Sequence, residues 1–168
     1  MKCKEYRDDL IAITAVPVAK ISNTASVMLV TAPTVEYDFS QHFDEDTIVI
    51  GMSKARYMDG DTGIAVGSLI PIKNGTGKAK DNESDGVAGR LHTVSVNCEA
   101  DDRDSDAWNS LLQLERTPSH LLLSFRDNSR AFVHATEDSY VCQVERDGGK
   151  TSVSFNIQNL TGLQLITD

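Results

Sequence analysis

The stretch 93–116, TVSVNCEADDRDSDAWNSLLQLER, changes hydrophobic period halfway along, and that change decides the fold class. Thr93-Val94-Ser95-Val96-Asn97-Cys98 alternates strictly. This places Val94, Val96 and Cys98 on one face and Thr93, Ser95 and Asn97 on the other, the mark of a strand with one buried side. Over 106–116 the apolar residues Trp108, Leu111, Leu112 and Leu114 recur at helical spacing. Asp104 or Ser105 caps that helix, acidic side chains favour its positive end, and Pro118 stops it.

Strand signals extend outward from there in both directions. Downstream, 120–125 and 131–135 flank Arg126-Asp127-Asn128-Ser129, a tight-turn composition. Tyr140, Cys142 and Val144 alternate up to Asp147-Gly148-Gly149, and Val153, Phe155 and Ile157 alternate on the way back, which predicts a second hairpin. Residues 163–166 read as a last short strand. Upstream, 27–30 and 47–50 are short apolar runs bounded by turn residues, and 8–15 reads as a helical segment. The fold class is therefore mainly β, with antiparallel sheets in a β-sandwich or barrel-like arrangement and one flanking α-helix.

Residues 59–89 differ from the rest. They hold seven of the eleven glycines, and 78–85 is polar but for Ala79. A long polar excursion in a compact domain is used for binding or docking. It reads as a long extended hairpin or Gly-rich arm carrying Asp59, Gly60, Gly63, Asn74, Gly75, Gly77 and Asp81, with Asn74-Gly75 able to turn a hairpin. No repeat or linker divides the chain, so 1–168 is read as a single domain.

At 168 residues the chain is long enough for a self-sufficient core. The net charge is −9, and it is localised. Glu36, Asp38, Asp44, Glu45 and Asp46 form one acidic patch, and Glu99, Asp101, Asp102, Asp104 and Asp106 form another, offset by Arg103. With no basic tract there is no grip for nucleic acid, and with no long apolar run there is no spanning helix. No secretory signal is read at the N-terminus, so the expected location is the cytoplasm or an assembled particle.

Cys3, Cys98 and Cys142 have neither metal-site nor framework spacing, and Cys98 and Cys142 fall on apolar strand faces as inert thiols. His42, His92, His120 and His134 are isolated in sequence. The nucleophile elbow, the P-loop, the dinucleotide glycine motif and the zinc-protease motif are all absent. No cofactor and no catalytic residues are assigned. Asp101, Asp102, Asp104 and Asp106 supply the oxygen ligands that Ca²⁺ prefers, but capping a helix and favouring its dipole is the stronger explanation.

The order of elements from Thr93 onward is a strand, an acidic turn, the single helix over 106–116 and then two hairpins. With a strand-rich first part and a long arm before it, this order resembles the tail-tube superfamily of phage tail-tube and distal-tail proteins and related tube-forming secretion proteins. The resemblance implies a non-enzymatic structural subunit that forms hexameric rings, with the arm reaching a neighbouring ring and with itself and other structural proteins as partners. It also lets the acidic patches line a lumen. The alternative is a β-sandwich binding module for a protein or glycan, assisted by calcium.

Overall fold

The computed structural model describes residues 2–18, 47–51, 67–86, 89–101 and 105–166. Among them are β1 (Lys2–Pro17), β2 (Thr47–Gly51), β3 (Gly67–Pro71), β4 (Gly77–Gly86), β5 (Gly89–Ala100), α1 (Ser105–Arg116), β6 (Ser119–Phe125), β7 (Arg130–Val133), β8 (Tyr140–Asp147), β9 (Lys150–Asn159) and β10 (Gln164–Ile166). The strands form one sheet in the order β10-β7-β6-β1-β4-β5-β9-β8, with β2 and β3 branching from β1. The mainly-β fold with one helix is as the sequence predicts. The sheet is not closed into a barrel.

The branch point is Leu10. Up to that residue β1 pairs with β4, and from Ala12 to Ala15 the same edge pairs with β2. Its other edge pairs with β6 from Leu10 to Pro17. Register shifts on either side of Leu10 let one strand serve both branches, since a bulge bends and twists a strand locally. Gly77 of β4 lies against this point so closely that a Cβ there would run into the Leu10 carbonyl. The short branch returns to the long one at its far end. Ile72 bridges Ala100, the Lys73 N–H donates to the Glu99 carbonyl at 2.9 Å, and the Asp101 N–H donates to the Pro71 carbonyl at 2.8 Å.

The two branches bury their side chains differently. In β5, β9 and β8 alternate residues are buried (Val94, Val96 and Cys98; Val153, Phe155 and Ile157; Tyr140, Cys142 and Val144). Thr93, Ser95, Asn97, Ser154, Asn156 and Gln158 share the opposite face, where Ser154 donates to Asn97 at 2.8 Å. The second half of β1, with β2, β6 and β7, is buried on both faces, as the near-continuous runs Ile48-Val49-Ile50 and Leu121-Leu122-Leu123 require. α1 packs on β8, β2 and β3 through buried Leu111 and Leu114. The Tyr140 hydroxyl donates to the Leu114 carbonyl at 2.7 Å, tying helix to sheet. Trp108 packs against the core edge, with the Arg146 guanidinium 4.1 Å from its ring centroid.

Both expected hairpins are present. Gly148 and Gly149 have φ of 59° and 80°, the two positive angles that a type I′ turn demands. Between β6 and β7 Asn128 takes φ 70°, and the Ser129 N–H donates to the Asp127 carboxylate at 3.0 Å.

Two expectations are corrected. Residues 8–15 are not helical; they belong to β1, where β-branched Ile11, Ile13 and Thr14 sit in a strand paired on both edges. The arm over 59–89 does not extend through its second half. Asn74-Gly75 does turn the chain, but Gly77 and Asp81 lie in β4, which pairs with β1 on one side and β5 on the other. Lys78 and Lys80 point out while Ala79 and Asp81 are buried, so the polar run is one face of a sheet interior. Asp59, Gly60 and Gly63, and the strand read at 27–30, lie outside the described residues.

Gly77→Ala places a methyl group against the Leu10 carbonyl and is expected to destabilise the protein by about 1–3 kcal/mol in urea unfolding. Ser152→Ala, on the exposed face of β9, is expected to stay within about 0.5 kcal/mol of the parent.

Candidate functional site at the sheet edges and the open end of the core

Along the inner face of β4 and β5 the side chains change from apolar to ionisable. Ala79 faces Val96 and Asp81 faces Val94, but the next pair is Glu83 with His92. The His92 ring sits between two carboxylates, with Nδ1 2.8 Å from Asp81 and Nε2 3.3 Å from Glu83. Arg90 bonds Glu83 from the β5 side, and the Lys4 ammonium lies 3.7 Å from it on the β1 side. The Arg90 hydrogen bond, then the charges of Lys4, Arg90 and His92, hold the Glu83 carboxyl below its usual range.

Asp81 is 4% exposed, and its second oxygen accepts the Leu163 N–H at 3.2 Å. A Cβ on Gly162 would lie 2.6 Å from His92 Nδ1 and collide with the Asp81 carboxylate, so the connection from β9 to β10 is packed directly onto the pair. Asn159 completes this fastening. Its side-chain oxygen accepts the N–H groups of Thr161 (3.2 Å) and Gly162 (2.6 Å), and its amide donates to the His134 carbonyl at 2.8 Å. The cluster is therefore a clamp that binds β4 and β5 to the 159–163 connection.

Beside the clamp lies a cleft of about 180 Å³ lined by charged side chains (Lys4, Glu5, Arg7 and Asp81) and apolar ones (Phe125, Ala131, Leu163 and Leu165). The Arg7 guanidinium stands 4.2 Å from the Phe125 ring centroid and bonds Asp9 (3.0 and 2.8 Å) and Asp127 (2.9 Å). The hydrogen bond from Arg7 lowers the Asp9 carboxyl and, reciprocally, raises the guanidinium. Its charge is spent inside the fold.

Two strands close the main run of the sheet. Among the described residues β8 pairs only with β9, and β10 only with β7. Three of the four large exposed apolar side chains among the described residues lie at these ends: Val141 on β8 is 53% exposed, Leu165 on β10 is 62% exposed, and Leu160 just before β10 is 67% exposed; the fourth, Tyr6, is on β1. β8 reads Tyr-Val-Cys-Gln-Val-Glu-Arg-Asp, without the lysine or proline that commonly guards an edge.

The thiols behave as expected. Burial pushes Cys98 and Cys142 up to about 12, and Cys3 is exposed. Burial also raises the Tyr140 phenol and lowers the His134 imidazole. His134 stacks on buried His120 with 5.2 Å between ring centroids, and the Ala135 N–H donates to His120 Nδ1 at 3.1 Å.

Of the acidic patches, Glu36, Asp38, Asp44, Glu45 and Asp46 lie outside the described residues, as do Asp102 and Asp104. Glu99 is on β5 with its carboxylate 3.9 Å from Lys73, and Asp101 follows that strand. Asp106 is in the first turn of α1, where its charge favours the helix dipole. Among the described residues no group of three His, Cys, Asp or Glu is placed to hold a metal ion, and no helix is long and apolar enough to cross a membrane. Sequence reasoning missed Glu83, Asn159, Val141 and Leu165, and it assigned Asp81 to the arm and His92 to no partner. The signal for the clamp was present as the in-phase spacing of Ala79, Asp81 and Glu83, but only the β4–β5 register discloses it. The chain matches no family model, and neither curated proteins nor solved structures return a match.

A thiol-labelling reagent is expected to modify Cys3 alone in the native protein, with Cys98 and Cys142 reacting only on unfolding. Burial of these two thiols also makes stability depend on pH. Their contribution is whole below about pH 9 and is lost as pH rises towards about 12, because the unfolded chain releases protons that the folded one retains. Melting temperature is therefore expected to fall above about pH 9, and Cys98→Ala is expected to soften that fall. Asp81→Ala removes the acceptor for the Leu163 N–H and is expected to cost about 2–3 kcal/mol in denaturant unfolding.

Proposed function

We propose that this protein is a non-enzymatic structural subunit that works by associating with copies of itself through its sheet edges, in an assembly of the phage tail-tube kind. The observation that carries the reading is the pair of edges. Among the described residues β8 is an eight-residue strand with an open side, an outward Val141 and no lysine or proline, its charged residues Glu145, Arg146 and Asp147 confined to one end, and such an edge is a template for another strand. β10 ends the same sheet at the opposite side and carries Leu165. The two edges are different surfaces, so a contact between them is heterologous, and contacts of that kind close into rings or continue as filaments.

The element order supports the same reading, because it resembles that of ring-forming tail-tube proteins. The partners are further copies of this chain and other structural proteins of the particle, and the location is the cytoplasm or the assembled particle. Neither edge presents a basic surface suited to gripping nucleic acid.

Light scattering over a concentration series is expected to show species well above the 18.3 kDa of one chain. Val141→Lys places a charge on the β8 edge and is expected to return the protein towards monomer, with unfolding stability within about 0.5 kcal/mol of the parent. A parent protein that stays monomeric at every concentration would overturn the proposal.

A further inference from the structure

We infer that His92 is a proton-operated latch: with hydrogen on both ring nitrogens it holds β4 and β5 to the 159–163 connection, and loss of one of those protons frees the start of β10. The latch works whether or not the chain associates with copies of itself.

The hydrogen-bonding capacity of the ring carries the inference. Nδ1 lies 2.8 Å from Asp81 and Nε2 lies 3.3 Å from Glu83. An ionised carboxylate only accepts hydrogen bonds, and a neutral imidazole has a single N–H and one lone pair. In either neutral tautomer, one nitrogen therefore turns its lone pair on a carboxylate oxygen. Only the imidazolium donates to both. The connection packs against Nδ1 itself, where a Cβ on Gly162 would stand at 2.6 Å, so the ring cannot swing towards it.

The charges around the ring decide which carboxylate depends on the proton. From β5 Arg90 bonds Glu83, and from β1 the Lys4 ammonium lies 3.7 Å from it. Glu83 is thus matched without His92. Asp81 is 4% exposed, and among the described residues its one cationic partner is His92. β9 pairs with this position through the neutral Asn159, and the connection presents backbone. A buried charge stripped of its partner is costly, so a neutral His92 releases the Asp81 carboxylate towards water. The bond from the Leu163 N–H, at 3.2 Å, goes with it. β10 has three residues and among the described residues pairs with β7 alone, so it is the element that loosens. The closed latch binds one proton more than the open one, and closure weakens as pH rises through the histidine range of about 5–8. His134 acts with the opposite sign. Burial lowers its imidazole, so charging it costs stability at acid pH, and that cost falls away as pH rises.

Backbone amide exchange, corrected for its intrinsic pH dependence, tests the latch. In the parent, protection of the Leu163 amide is expected to be about tenfold lower at about pH 8.5 than at about pH 5.5. Val96 and Phe155, on strands paired along both sides, are expected to keep theirs. His92→Gln is expected to abolish the difference, with Leu163 at the low value at both pH values. Should that variant fold poorly, Asp81→Asn retains an acceptor for the Leu163 N–H without the charge that calls for the proton, and is expected to give equal protection at the two. Equal protection of Leu163 in the parent overturns the latch. So does a difference that survives either substitution, and so does protection that rises with pH, which is the sign of His134.

Discussion

The approach of Gly77 to the Leu10 carbonyl is the constraint on which the rest of the molecule depends. At that point β1 stops pairing with β4 and begins pairing with β2 on the same edge, while β6 runs along its other side. A side chain at Gly77 would separate the two strands just where the sheet must divide. From this division come a long branch, β4-β5-β9-β8, and a short one, β2-β3, which meet again at the bridge between Ile72 and Ala100. α1 packs on both through Leu111 and Leu114 and completes the core without closing the sheet.

That architecture gives the protein its surfaces. The long branch is buried on one side only, so its far face is polar, with Lys78 and Lys80 on β4 and small uncharged residues on β5 and β9, and among the described residues its last strand has an open edge. At the other end the core changes to Asp81, Glu83 and His92: Lys4 and Arg90 pair with Glu83, His92 lies between the two carboxylates, and Asp81 holds the β9–β10 connection. Ionisable groups in a half-buried cleft invite a catalytic reading. Here the second oxygen of Asp81 is taken by a backbone N–H, Arg7 is bound by Asp9 and Asp127, and the two core thiols are kept protonated by burial. The large apolar side chains left exposed among the described residues are Tyr6 on β1, Val141 and Leu165 on the two end strands, and Leu160 just before β10.

How much of this was legible in the sequence depended on whether the signal was local. β5, α1 and the Asp147-Gly148-Gly149 hairpin were legible because alternation, helical spacing and turn chemistry act within a few residues. β1 was misread over 8–15 because Leu10-Ile11-Ala12-Ile13-Thr14-Ala15 is apolar on both faces and so carries no period of two. β4 was misread as a solvated arm for the opposite reason. Its outer face is Lys78 and Lys80, and its inner face offers Ala79 before turning to Asp81 and Glu83, so nothing in its composition announces a strand between two others. The clamp and the edges are properties of register and strand order. His92 meets Asp81 across a hairpin pair, and Val141 is at an edge only because β8 comes last in the sheet.

Pairing of the open side of β8 with another copy of the chain would be read at the strand itself by backbone hydrogen exchange across a concentration series. The account predicts that amides of the Tyr140–Asp147 strand gain protection as concentration rises, while amides of β5, already paired on both sides, keep theirs unchanged. Exchange at β8 that is identical in dilute and concentrated protein would contradict it.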